Sequence, residues 1–261
     1  MRAEGHLSCR PPVLLAVFAH PDDETFRCGG TLALLAQQGA QVHLLCATKG
    51  EAGIPDLAPQ QAGRIRQSEL ECACRALGIH PPQFLGYQDG TLSEANRETA
   101  VAQIVAIVRE LRPQALLTWP PDGISGHPDH KAISRWTAEA FLRAADSTAY
   151  PEQWNRELAP HAVTALYHMV MPYSLAQALG MSHLHTVPDE QATITIDVSA
   201  AWEAKMAAIR CHQSQIRSSP ILSMAEEKQR LFFAVEHFRL AMGKPAVLSM
   251  LERKQYPAKG G

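Results

Sequence analysis

The run Val13-Leu14-Leu15-Ala16-Val17-Phe18-Ala19 is apolar without interruption and ends abruptly in His20-Pro21-Asp22-Asp23-Glu24. A short continuous apolar run of this kind fits a strand buried on both faces, which is the environment of a parallel sheet between two helix layers. Parallel neighbours need long crossovers, so the remaining chain has to supply alternating helices and strands. Arg2 and Arg10 precede the run as basic residues precede a secretion signal, but no small-residue cleavage site follows it. The run is also far shorter than the ~20 apolar residues of a membrane span. It reads as the first strand of a cytoplasmic protein.

The alternation continues along the chain. Helices are predicted over 29–38, ending at Gly39, and over 62–77, closed by Gly78. Strands are predicted at 42–47 and 84–85. Ser93 reads as the N-cap of a helix whose apolar residues Val101, Ile104, Val105, Val108 and Leu111 recur at helical spacing, and Arg112-Pro113 ends it. A strand at 115–118 leads through a Pro/Gly/Asp-rich loop to a helix starting near Pro128. Beyond it lie a strand near 163–170, an irregular stretch over 171–190, a strand near 192–197, an amphipathic helix marked by Trp202, Met206, Ile209 and Ile216, and a final helix over 223–242. The pattern predicts one α/β domain over 1–261, a doubly wound, mostly parallel sheet with helices on both faces and added C-terminal elements. Residues 1–11 and 255–261 are expected to be flexible tails.

Composition narrows the function. A formal charge of −2 over 261 residues leaves no basic surplus for a phosphate backbone, so nucleic acid is not an expected partner, and no membrane is expected either. The cysteines lack C-x-x-C spacing, and reduced thiols packed in the core are the expectation. Ligands in doubly wound sheets bind beyond the carboxyl ends of the strands. His20-Pro21-Asp22-Asp23-Glu24 follows the first strand directly, and Gly126-His127-Pro128-Asp129-His130 follows the strand at 115–118, more than 100 residues later. Either motif alone reads equally as a polar turn capping a helix. Together they gather imidazoles and carboxylates at one sheet edge, the donor types of a hydrolytic zinc site.

Those two motifs, with Thr48-Lys49-Gly50-Glu51-Ala52-Gly53, Arg66-Gln67-Ser68-Glu69, Gly86-Tyr87-Gln88-Asp89-Gly90, Lys205 and His212-Gln213-Ser214-Gln215, resemble the LmbE-like, or PIG-L-type, zinc-dependent N-acetylglucosaminyl deacetylases. The resemblance implies a Rossmann-like fold and one Zn2+ per chain, held by His20, Asp23 and His130; iron(II) suits the same donors. It makes Asp22 the general base, His127 the stabiliser of the oxyanion and Asp129 the carboxylate that orients His127. Arg66 and Asp89 match positions that bind sugar hydroxyls in some members. Some members carry a tyrosine where this chain has Gly123-Ile124-Ser125, and Tyr173 is a candidate to replace it.

Each further residue has a second reading. Glu51 is a turn residue or a substrate hydroxyl acceptor, Arg66 a surface partner of Glu69, and His212 a core histidine or part of the site. His183 and His185 read as solvated loop residues. The leading function is removal of an acetyl group from a small amino-sugar substrate. The alternatives are an amidase cleaving a thiol–sugar conjugate, a metal-holding sugar-binding protein and a phosphoesterase. A homo-oligomer is compatible with all of them.

Overall fold

The computed structural model describes residues 10–217 and 219–251. The tails expected over 1–11 and 255–261 therefore fall outside the described residues apart from Arg10 and Pro11. The elements follow in the order β1 (Val13–Phe18), α1 (Asp23–Gln37), β2 (Gln41–Cys46), α2 (Pro59–Leu77), β3 (Gln83–Phe84), α3 (Arg97–Leu111), β4 (Ala115–Thr118) and α4 (Pro128–Arg143). The C-terminal part holds β5 (Ala165–Met169), α5 (Tyr173–Leu179), β6 (Ile194–Asp197), α6 (Trp202–Cys211), α7 (Gln213–Ile216), α8 (Glu226–Phe233) and β7 (Val235–Gly243).

The seven strands form one mixed sheet in the order β3-β2-β1-β4-β5-β7-β6. The first five are parallel, and β7 and β6 are added antiparallel beside β5. Right-handed crossovers put α1 and α2 on one face and α3 and α4 on the other. The packing agrees, with α1, α2 and α6 against one another and α3 against α4. Leu14 to Ala19 are entirely or almost entirely buried, as the apolar run predicts.

Four sequence expectations need correction. α1 begins six residues earlier than predicted, at Asp23, because Asp23 and Glu24 suit the positive end of a helix. The helix predicted from Ser93 is capped by Asn96, whose side chain accepts the Thr99 N–H, while Leu92–Glu94 form a separate 3-10 turn. The irregular stretch 171–190 contains α5, and the final helix predicted over 223–242 stops at Phe233. Val235 onward is instead β7, with Glu236 and Phe238 turned inward in strand alternation, and it fills the place between β5 and β6.

The cysteine expectation holds for Cys28, Cys46 and Cys74, which are buried free thiols. It fails for Cys72 and Cys211, which form a disulfide between α2 and α6. Helix packing brings together two residues 139 positions apart, and no local spacing signals such a pair.

Candidate metal centre

The strand order reverses between β1 and β4, and both motifs emerge there. The chain leaves β1, turns through His20–Asp22 and enters α1 at once. Asp22 takes φ +111° and ψ −25°, a backbone conformation costing a non-glycine residue roughly 1–3 kcal/mol. The turn is held from several directions. The Asp22 N–H donates to Glu24 Oε2 at 3.1 Å, and its carbonyl accepts from Thr25 N and Phe26 N. Arg66, reaching in from α2, donates Nη2 to the Pro21 carbonyl and to Asp22 Oδ2 (3.2 Å).

Asp23 Oδ2 accepts the N–H groups of Ala19 (3.1 Å) and His20 (3.0 Å) and the indole N–H of Trp119 (3.1 Å). Its Oδ1 is left facing His130 Nε2 at 3.3 Å. His130 Nδ1 lies 3.2 Å from the Gly123 carbonyl, a partner that places the ring proton on Nδ1 and leaves the Nε2 lone pair free. Trp119 stacks flat on the His130 ring, centroids 4.1 Å apart. Gly123 has φ +71°, and a Cβ there would sit 2.7 Å from the His130 Cβ, so the loop needs glycine to fold against His130. His20 Nε2 lies between Asp89 Oδ1 (3.1 Å) and Asp129 Oδ2 (3.2 Å).

The donor atoms of His20, Asp23 and His130 lie within 4.8 Å of one another, and those of His20, His127 and Asp129 form an overlapping group. The chemistry of both sets suits a divalent cation. Burial opposes a charge on His20, yet hydrogen bonds to Asp129 and Asp89 and the charge of Asp23 outweigh it and raise its pKa to about 10. Burial likewise opposes a charge on Asp23, but His130 and then His20 hold it below the ordinary carboxylate range. The carboxylates of Asp23, Asp89 and Asp129 therefore favour positive charge at this point of the cluster, whether on His20 or on a bound cation. At Asp22 burial prevails over the opposing charge of Arg66 and lifts the pKa to about 6.

The remaining predicted residues divide. An open cleft of about 370 Å³ is lined by His20, Asp22, Asp23, Arg66, Asp89, His127 and His130, among others. Arg66 is buried and holds Asp22, whereas Glu69 bonds Ser214, so the surface pair Arg66–Glu69 does not form. Asp89 Oδ2 accepts the Ala52 N–H at the rim of the cleft. The Asp129 carboxylate makes no hydrogen bond to the His127 ring; it accepts from Gly90 N, Leu92 N and His20. His127 Nδ1 instead accepts the backbone N–H of Asp129 at 3.1 Å, which leaves the ring proton on Nε2. Burial, followed by the charges of His20 and His130, pushes the His127 pKa below its ordinary value.

Neither Glu51 nor His212 lines the cleft. Glu51 packs over Gly63 of α2, and His212 is fully buried with Nε2 on Glu24 Oε1 (3.2 Å). Tyr173 is more than half exposed. Lys205 is wholly buried and bonded to Glu236 Oε1 (2.6 Å), so its place in the motif is structural. Sequence reasoning missed Trp119, and it named Gln215 only within the His212–Gln215 motif without giving it a role. Trp119 lies directly after a buried strand in the loop leading to the second motif, and that position was its only available signal.

Fold and cluster together define a Rossmann-like α/β protein with a His/Asp group able to hold a metal at its strand reversal. The chain belongs to the PIG-L family of de-N-acetylases. The family model for GlcNAc-PI de-N-acetylase matches residues 15–141. A 1D-myo-inositol 2-acetamido-2-deoxy-alpha-D-glucopyranoside deacetylase of Thermobifida fusca is 34% identical, over 88% of this chain and 93% of its own. The Rhodococcus jostii protein of the same name is 35% identical, over 88% and 91%. Among solved structures, N,N'-diacetylchitobiose deacetylase from Pyrococcus horikoshii aligns with a TM-score of 0.72 at 22% identity, over 88% of this chain and 84% of that one. A 4-carboxy-2-hydroxymuconate hydratase from Pseudomonas putida aligns at 0.67 with 18% identity, over 90% and 98%, so the fold alone does not select the chemistry.

Proposed function

We propose that the protein is a zinc-dependent deacetylase of an N-acetylglucosamine conjugate related to the inositol glycoside named for its relatives. The observation that carries this reading is the meeting, in one cleft, of His20, Asp23 and His130 with the Arg66-held carboxyl group of Asp22. His20, Asp23 and His130 would hold the ion. A bound divalent cation lowers the pKa of its water toward neutrality and polarises an amide carbonyl. Asp22, held by Arg66 and only partly exposed, takes a proton from the attacking water and is poised to do so near neutral pH. The His127 Nε2–H donates to the oxygen that gains charge as the acyl carbon becomes tetrahedral. Asp129 acts on His127 through its backbone N–H, and its carboxylate braces His20. Asp89 and Arg66 border the side of the cleft where sugar hydroxyls would be bound.

The test combines metal analysis with an assay of amine release from N-acetylglucosaminyl-inositol. One zinc per chain, lost in His20→Ala, Asp23→Ala and His130→Ala together with activity, is the expected outcome. Full metal content in all three variants would remove these residues from the role of ligands.

A further inference from the structure

Three cavities meet at the candidate metal centre. The polar cleft shares Asp22, Asp23 and Gln215 with a junction of about 270 Å³, and the junction shares Arg27 and Trp119 with a third cavity of about 410 Å³. This third cavity is apolar, walled by Ile124, Met171, Met181, Ile221, Met224 and Phe232, and His130 and Trp119 form its inner end. Its volume lies within the ~300–1,000 Å³ of ordinary ligand sites. Apart from Ile124, these wall residues come from the segments around α5 and α8, beyond the residues 15–141 that match the family model. The C-terminal part thus closes most of the apolar wall over an inner end that the family-matched segment supplies through Trp119, Ile124 and His130.

Resting on the deacetylase reading above, we propose that the apolar cavity is a subsite for an unbranched N-acyl chain longer than acetyl. The connectivity of an amide carries the inference. When the carbonyl lies at the metal cluster, the amino sugar and the acyl tail must leave it in opposite directions. The sugar needs hydrogen-bonding partners and has them in the cleft bordered by Asp89 and Arg66. The tail then passes Asp23 and Trp119 through the junction and enters the methionine-lined cavity, where flexible thioether side chains adapt to a chain of methylenes. An aglycone leaves from the sugar itself and starts in the polar cleft. The reaction is the same hydrolysis: water adds to the acyl carbon, the C–N bond breaks, the amine leaves with a proton, and a medium-chain carboxylate is the second product.

The experiment uses the zinc-loaded full chain with N-acetyl-, N-butanoyl-, N-hexanoyl- and N-octanoyl-glucosamine, plus octyl and methyl glycosides of N-acetylglucosamine. The proposal expects kcat/KM to climb about fourfold per methylene until the cavity is full, the ~0.8 kcal/mol of a buried CH2. Ile221→Trp, which fills the cavity, and Met224→Arg, which charges it, should each collapse the octanoyl-to-acetyl ratio. The wild-type series alone decides the matter if a variant fails to fold. Turnover of the acetyl substrate with no gain along the series overturns the subsite while leaving the deacetylase reading intact. A gain for the octyl over the methyl glycoside in place of the acyl series assigns the cavity to an aglycone and also overturns it. No amine release from any substrate by zinc-loaded protein sinks both.

Discussion

At the scale of single residues, the most informative position is Asp22, whose backbone lies in a region that side chains avoid. Asparagine tolerates such backbone better than most residues and can still accept the Arg66 hydrogen bond. On the proposed function, Asp22→Asn should therefore fold normally and keep the metal content of the wild type, while kcat falls by the ~10²–10⁴-fold that a general base contributes. Metal loss in this variant would show that Asp22 and Asp23 exchange roles. Trp119 offers a second test. Its N–H fixes Asp23 and its ring fixes His130, so Trp119→Phe keeps the stacking but removes the hydrogen bond. Removing such an outer partner should weaken metal binding by ~10–100-fold, measured by competition with a chelator. Unchanged affinity would reduce Trp119 to a wall of the cavities. The two motifs were legible in the sequence because each follows a buried strand, whereas Trp119 acts only through contacts made in space.

At the scale of elements, α1 joins the site to the core. It begins inside the first motif, and its Gly30 and Thr31 N–H groups donate to Glu236 of β7, which also pairs with Lys205 of α6. Three segments far apart in sequence thus share one buried carboxylate. This closeness requires glycine at position 30, where a Cβ would fall 2.4 Å from the Val198 Cβ. Gly30→Ala should destabilise the fold by about 1–3 kcal/mol through overpacking, read from the denaturant midpoint. Val198→Gly in the same chain removes the contacting Cβ and should recover part of that loss, and strict additivity of the two changes would show that they do not meet. Tertiary context also explains why β7 was misread. Residues 223–242 contain apolar side chains that also suit a helix, and only the open place beside β5 selects a strand for Val235–Gly243. The α2–α6 disulfide escaped sequence reading for the same reason.

For the molecule as a whole, the parallel half was legible because buried strands and capped helices are local signals, and the strand reversal then placed both motifs at one edge. Tertiary partners were not legible: Arg66 belongs to Asp22 rather than Glu69, and His212 to Glu24 rather than to the cleft. Buried histidines also link the fold to pH. His168, on β5 in the middle of the sheet, is buried, and neither ring nitrogen has a hydrogen-bond partner among the described residues. Burial, and then the charge of Arg239, lower its pKa to about 4. The sign follows from linkage: below pH ~6.5 the unfolded chain takes up a proton that the folded protein refuses until about pH 4. The contribution of His168 to stability is therefore complete above pH ~6.5 and is lost as pH falls toward 4, at up to ~1.4 kcal/mol per unit. His168→Phe removes the titrating group and keeps an aromatic ring in the strand. Urea unfolding of this variant between pH 7 and 4 should show a shallower loss of stability than the wild type, by about 3 kcal/mol over the full range. Other acid-labile groups, the proposed metal ligands included, are common to both proteins and cancel in the difference. Parallel pH profiles for the two would mean that His168 accepts its proton in the folded state as readily as in the unfolded one.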